Sequence, residues 1–120
     1  MDIECGGSIM YLNYNNKNLT ITRGDTLQFA VEISGLDGAE VSAMKFTCKE
    51  NINDSTFLFQ KTLDSGITKI DDTHYKVRVR PDETKNLEIG NYYYDLEMTA
   101  NDDVYTLLKG RLKVEFDITD

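Results

Sequence analysis

Positive charge is in short supply in this 120-residue sequence: 13 lysines and arginines stand against 21 aspartates and glutamates, a net charge of −8. A phosphate backbone selects net basic surfaces, so nucleic acid is not expected as a partner. Long apolar runs are missing too. Nothing approaches the roughly 20 residues that a membrane-spanning helix needs, so no membrane partner is expected. The opening Met1-Asp-Ile-Glu4 lacks the basic n-region of a secretory signal, and export is not expected either. Two cysteines are too few for a disulfide scaffold. Cys48 falls on an inward strand position and reads as a small core residue. Cys5 lies in the N-terminal tail, either free or bridged to Cys48, and a reducing environment is the expectation. The single proline, Pro81, stands at a strand end, where it removes no ladder donor.

Signals of catalysis are equally sparse. His74 is the only histidine, directly before a strand, and reads as an edge or surface residue. No G-x-S-x-G, H-E-x-x-H, P-loop or dinucleotide fingerprint occurs. The acidic pairs Asp71-Asp72, Asp82-Glu83 and Asp102-Asp103 fit no EF-hand spacing and read as solvated turn residues. Arg23-Gly24-Asp25 likewise reads as a turn before a strand. The expectation is therefore no enzyme, no catalytic residue, no cofactor and no metal site.

What the sequence does contain is alternation with period two, the mark of half-buried strands. Leu27, Phe29, Val31 and Ile33 alternate with Thr26, Gln28, Ala30 and Glu32. Met44, Phe46 and Cys48 form a second inward series. Thr56–Gln60 is read as a short strand with Phe57 and Phe59 on one face, and 67–70 as another. Tyr75, Val77 and Val79 face in, as do Tyr92, Tyr94, Leu96 and Met98. Asn101-Asp-Asp103 is hairpin chemistry. Residues 104–118 are read as a long last strand with Leu112, Val114, Phe116 and Ile118 inward, and Gly110 suggests a bulge in it. Gly35-Leu-Asp-Gly38 is turn chemistry, and 82–87 reads as one helical turn.

The block that identifies the architecture is Leu87-x-x-Gly90-x-Tyr92. A leucine caps the crossing between sheets, a glycine supplies backbone freedom, and a tyrosine returns its hydroxyl to the backbone. This is the pattern of a tyrosine corner. The fold class is therefore all-β, an immunoglobulin-like β-sandwich of about seven or eight antiparallel strands, occupying residues 18–120. Residues 1–17 read as a flexible segment or an edge strand, with Ile9–Tyr14 a candidate for docking on a partner. Tyr93, between two inward tyrosines, points to the outer face and is expected near Tyr105 on the paired strand. These two are the candidate binding residues for protein or sugar. The competing reading is a cross-strand aromatic pair that only stabilises the sheet.

From about Leu19 to Asp120 the chain resembles the N-terminal immunoglobulin-like domain of bacteriophage baseplate upper proteins. The residues that carry the resemblance are Arg23-Gly-Asp-Thr26, Gly35-Leu-Asp-Gly38, Met44-Lys-Phe-Thr-Cys-Lys49 and the strand 57–60. Pro81-Asp-Glu-Thr84, the corner block through Leu96, Thr106-Leu-Leu-Lys-Gly110 and Val114 to Thr119 complete it. The resemblance implies a non-enzymatic structural protein of a phage or prophage, an assembly or attachment domain of tail or baseplate. Its partners would be other tail or baseplate subunits, with self-association also open. It would be found in the virion, or otherwise in the bacterial cytoplasm as a prophage product. The sequence departs from the resemblance at Asp120, where no receptor-binding region follows; the expectation is an accessory or adaptor subunit, or a shortened form of a longer chain. The alternative function is a binding module of a bacterial surface protein that recognises protein or carbohydrate.

Overall fold

A computed structural model describes residues 2–4, 9–11, 18–33 and 38–116, the first two stretches as backbone alone. Ten strands follow one another: β1 (Asp2–Glu4), β2 (Ile9–Tyr11), β3 (Asn18–Thr22), β4 (Leu27–Glu32), β5 (Val41–Lys49), β6 (Phe59–Leu63), β7 (Gly66–Lys69), β8 (His74–Val79), β9 (Gly90–Ala100) and β10 (Asp103–Glu115). One short helix, α1 (Pro81–Thr84), separates β8 from β9. The ladder runs β1-β3-β10-β9-β5-β6-β7-β8-β4-β2. It folds over at the brief parallel β6–β7 pairing, so that β3-β10-β9-β5-β6 and β7-β8-β4 face each other as an immunoglobulin-like sandwich. Eight strands lie within Asn18–Glu115, as expected. Not all are antiparallel: β10 meets β3 in parallel, and β1 and β2 add in parallel to β3 and β4. β1 and β2 stand at the two ends of the ladder. The readings of Cys5, of 12–17, of 34–37 and of 117–120 lie outside the described residues.

The inward series of the sequence is the core. Leu27, Phe29, Val31 and Ile33 are buried, as are Met44, Phe46, Cys48, Tyr75, Val77 and Val79. Phe46 sits at their centre. Its ring meets Phe29 of the opposite layer edge-on, with centroids 5.4 Å apart. It also packs on Phe59 at 6.0 Å and Tyr94 at 5.6 Å. Such ring contacts add to the area term because the positive edge of one ring meets the negative face of another. Cys48 is a free thiol in this core, and burial pushes its pKa up to about 12. A thiol held protonated is a packing group, not a nucleophile.

The corner forms as the sequence predicts. The Tyr92 hydroxyl donates a 2.7 Å bond to the Glu88 carbonyl, and Leu87 is buried beneath the crossing. Gly90 opens β9 at φ 150°, a conformation that a side chain would strain. Upstream, Pro81 takes the first helical position, where its missing N–H costs nothing. The fully buried Thr84 donates from Oγ1 to the Asp25 carbonyl at 2.7 Å. That bond ties the helix to the turn of Arg23-Gly24-Asp25, where Gly24 adopts φ 85°.

Several expectations fail, each for a local reason. Phe57 is not in a strand. The backbone N–H of Leu58 bonds the Cys48 carbonyl, β6 begins only at Phe59, and Phe57 is left exposed. The helix is shorter than expected and closes at Thr84. The bulge of the last strand is not at Gly110, which pairs regularly with Tyr94; it lies between Thr106 and Leu108. The extra residue lets Leu107 and Leu108 both reach the core, which strict alternation forbids. Phe116 lies one residue past the end of β10 and is 69% exposed, with the Arg23 guanidinium 5.8 Å from its ring centroid.

Two substitutions probe this account. Tyr92→Phe removes one hydroxyl bond at the corner and is expected to cost about 1 kcal/mol in urea unfolding. Phe46→Ala empties the centre of the core and is expected to cost about 3–5 kcal/mol. Equal costs for the two would mean that the aromatic cluster is not the centre of packing.

Candidate functional site

Alternation along β9 places Tyr92, Tyr94, Leu96 and Met98 inside, so Tyr93, Asp95 and Glu97 must line the outer face. The register supplies their neighbours. Tyr93 lies between Lys49 of β5 and Arg111 of β10, and Asp95 between Thr47 and Lys109. Gln60 of β6 extends the second row by donating from Nε2 to Thr47 Oγ1 at 2.9 Å. At the other side of the sheet, Asn18 Oδ1 accepts the Arg111 backbone N–H at 3.2 Å. Asn18, Thr47, Lys49, Tyr93, Asp95, Lys109 and Arg111, together with Ile52 from the loop after β5, line an open depression of about 440 Å³.

The electrostatics of this face run against the rest of the molecule. Lys49, Lys109 and Arg111 surround the depression, and no salt bridge among the described residues uses any of them. Asp95 is the one acid in its lining. Burial raises the Asp95 pKa above the usual carboxylate value, Glu97 one row away adds to the rise, and Lys49 opposes it. The site is thus a half-buried tyrosine and a half-buried carboxyl framed by three cations.

Of the two candidate binding residues, the structure puts only Tyr93 here. Tyr105 pairs with Met98, five positions along β9 from Tyr93, and directly paired residues project to the same face. Tyr105 therefore sits on the inner side of the sheet, at the partly open hairpin end of the core, and is 39% exposed. The two tyrosines form neither a joint binding surface nor an aromatic pair. The hairpin register is the reason, because it pairs Tyr105 with the inward Met98; the bulge after Thr106 then turns Arg111 outward beside Tyr93. Leu87, Gly90 and Tyr92 hold the corner and so set the phase of β9; they line no site. Lys49, Lys109 and Arg111 escaped the sequence reading. Alternation marks each as outward, but only register brings them together.

A second polar cluster lies on the other sheet. His74 Nε2 is 2.9 Å from Glu32 Oε2, and its Nδ1 is 2.8 Å from Asp71 Oδ1. Its strand runs between β7 and β4, so His74 is not on an edge strand. The carboxylate of Asp71 also accepts the backbone N–H of Thr73 at 2.9 Å, which turns the chain into β8. The bond to Asp71 raises the His74 pKa, with Glu32 adding to it. The Thr73 N–H, then His74, hold the Asp71 carboxyl down to about 2. Asp102, with Asn101, supplies the left-handed residues of the β9–β10 hairpin, and Asp72 pairs with Lys69 at 3.1 Å.

No family model matches the chain, and no curated protein matches it. Among solved structures it is similar to an NK cell receptor that is a triggering partner in natural cytotoxicity. That likeness has a TM-score of 0.49 and 13% identity, and covers 86% of this chain and 99% of the receptor's. A cysteine protease inhibitor from Entamoeba histolytica is similar at TM-score 0.45 and 11% identity, over 90% of this chain and 96% of its own. Murine CRIg is similar at 0.41 and 10%, over 83% and 92%.

Two titrations test the electrostatics. A raised His74 pKa stabilises the fold below the unfolded value of 6.5 and stops doing so as pH rises through the folded value. The lowered Asp71 pKa stabilises above 3.8 and stops as pH falls towards about 2. His74→Gln is therefore expected to lower the melting temperature most between about pH 4 and pH 6.5, and little at pH 9. A deficit that does not change with pH would overturn this. Asp95 has the opposite consequence for an acid, because its folded pKa lies above the unfolded one. Its ionisation opposes folding once pH rises through the folded value. Asp95→Asn is expected to raise the melting temperature at pH 7 and to leave it unchanged at pH 3.

Proposed function

We propose that this chain is a non-enzymatic assembly or attachment module of a phage or prophage tail or baseplate, acting through protein–protein contact. The observation that carries the reading is the outer face of β5, β9 and β10. There a half-buried tyrosine lies at the centre of a concave surface, Ile52 offers apolar area at its margin, and three cations that enter no salt bridge among the described residues surround it. Interfaces are built in this way, with an aromatic centre inside a polar rim. The sandwich beneath supports the role. Phe46 and the corner hold the sheet rigid, so docking on it does not have to be preceded by ordering. The tail and baseplate setting is inferred from the sequence resemblance from Leu19 to Asp120.

A second reading, a surface module that recognises carbohydrate, draws on the same tyrosine. An aromatic face beside Asn18, Thr47 and Asp95 also suits a sugar ring.

Mass spectrometry of purified particles from the induced source strain tests the first reading. The expected result is this protein at a fixed small-integer ratio to a baseplate component. Its absence from intact particles, with the protein present in the lysate, would overturn the virion role. Glycan-array binding that disappears on Tyr93→Ala would then favour the carbohydrate module.

A further inference from the structure

The three cations have a spacing as well as a sign. Lys109 and Arg111 are two residues apart on one strand, so both point outward about 7 Å from each other. Lys49 stands across Tyr93 from Arg111, two inter-strand steps away, or about 10 Å between backbones. An extended peptide repeats its side chains on one side at the same interval of about 7 Å. A segment with acidic residues at alternate positions therefore matches the Lys109–Arg111 step. Its next apolar side chain comes to lie over Tyr93 and Ile52, both in the lining of the depression.

Charge balance favours an anionic occupant and no other. Three cations against Asp95 leave the lining net positive, on a chain that carries −8 overall. Elsewhere four of the described cations are drawn into pairs, Lys61 with Glu83, Lys69 with Asp72, Lys113 with Glu115 and Arg80 with Asp82, while Lys45, Lys76, Arg78 and Lys85 enter no salt bridge among the described residues and line no shared depression with these three. Gathering three around the single carboxyl of Asp95, despite the excess of acids in the chain, leaves positive charge available to a partner's carboxylates. The acidic surroundings also disfavour the same peptide at other places on the molecule, which sets its register on the sheet.

We infer that the depression on the outer face of β5, β9 and β10 is a docking site for an extended acidic segment of a protein partner, with carboxylates on Lys109, Arg111 and Lys49 and an apolar side chain on Tyr93. This rests on the assembly reading above and names the chemistry of the partner.

The test uses the whole chain and a fluorescein-labelled synthetic peptide in which glutamate alternates with serine and one leucine. A peptide with glutamine in place of glutamate is the comparison. Fluorescence anisotropy is expected to show binding of the glutamate peptide alone, weakening as salt rises from about 20 to about 300 mM. Arg111→Glu and Lys109→Glu are each expected to weaken it roughly tenfold or more. Arg78→Glu, on the opposite sheet, is expected to leave it within about twofold, because the two faces are separated by the core. Circular dichroism checks that each variant is folded; both sites are on solvent-exposed strand positions, and Lys109→Gln replaces any variant that is not. Equal binding of the two peptides, or equal losses in Arg111→Glu and Arg78→Glu, would overturn the inference. If the protein is in the particle while the glutamate peptide fails to bind, the acidic occupant is wrong and the assembly reading stands. If the peptide binds as expected while particles lack the protein, the site stands and the virion role falls.

Discussion

The Tyr92 hydroxyl, 2.7 Å from the Glu88 carbonyl, fixes where β9 begins, and much else depends on that starting point. A strand has only two ways to present its side chains. Moving the start by one residue would exchange the two faces along all of β9. With the corner in place, Tyr92, Tyr94, Leu96 and Met98 are committed to the core. Tyr93, Asp95 and Glu97 are committed to solvent by the same step. The corner thus sets the outer face of the molecule without contributing a single atom to it.

The inner side of that commitment is locked by aromatic packing. Phe46 lies among Phe29, Phe59 and Tyr94, which come from both layers of the sandwich. A register slip in β5 or β9 would break these contacts and put Lys45 or Asp95 among them. The cost of burying an unpaired charge exceeds that of losing a ring contact, so the register is defended from both sides. The bulge in β10 obeys the same logic. Two adjacent leucines, Leu107 and Leu108, gain burial by surrendering regular pairing for one residue. The reversal of alternation that follows sends Lys109 and Arg111 outward, beside Asp95 and Tyr93.

Charge is spread unevenly as a result. On the β8 and β4 side, His74 is held between Asp71 and Glu32, and acids and bases compensate each other. On the β5, β9 and β10 side, three cations converge around the one carboxyl of Asp95, and no salt bridge among the described residues uses them. An excess of acid in the whole chain raises the contrast between this face and the remainder, because a positive depression on a negative molecule orients an approaching anion before contact.

Much of this architecture is legible in the linear sequence. The inward series around Phe29, Phe46, Val77 and Tyr94, the Asn101-Asp102 hairpin and the Tyr92 corner each depend on residues close together along the chain. Their physics is local: a two-residue period, a left-handed turn, a hydroxyl that reaches back four residues. What lay beyond reach was the pairing of distant strands. Tyr105 was expected beside Tyr93 because both are tyrosines on neighbouring strands. The hairpin register pairs it with Met98, five positions away and on the other face, and the extra residue near Leu107 then turns Lys109 and Arg111 outward. Nothing in the composition of Thr106-Leu-Leu108 marks which residue will be extra, since the choice is made by the space that the rest of the core leaves open. For the same reason only tertiary structure could bring Lys49, Lys109 and Arg111 around one tyrosine. Local alternation decides which way a side chain points, and long-range register, paid for by packing, decides what it points beside.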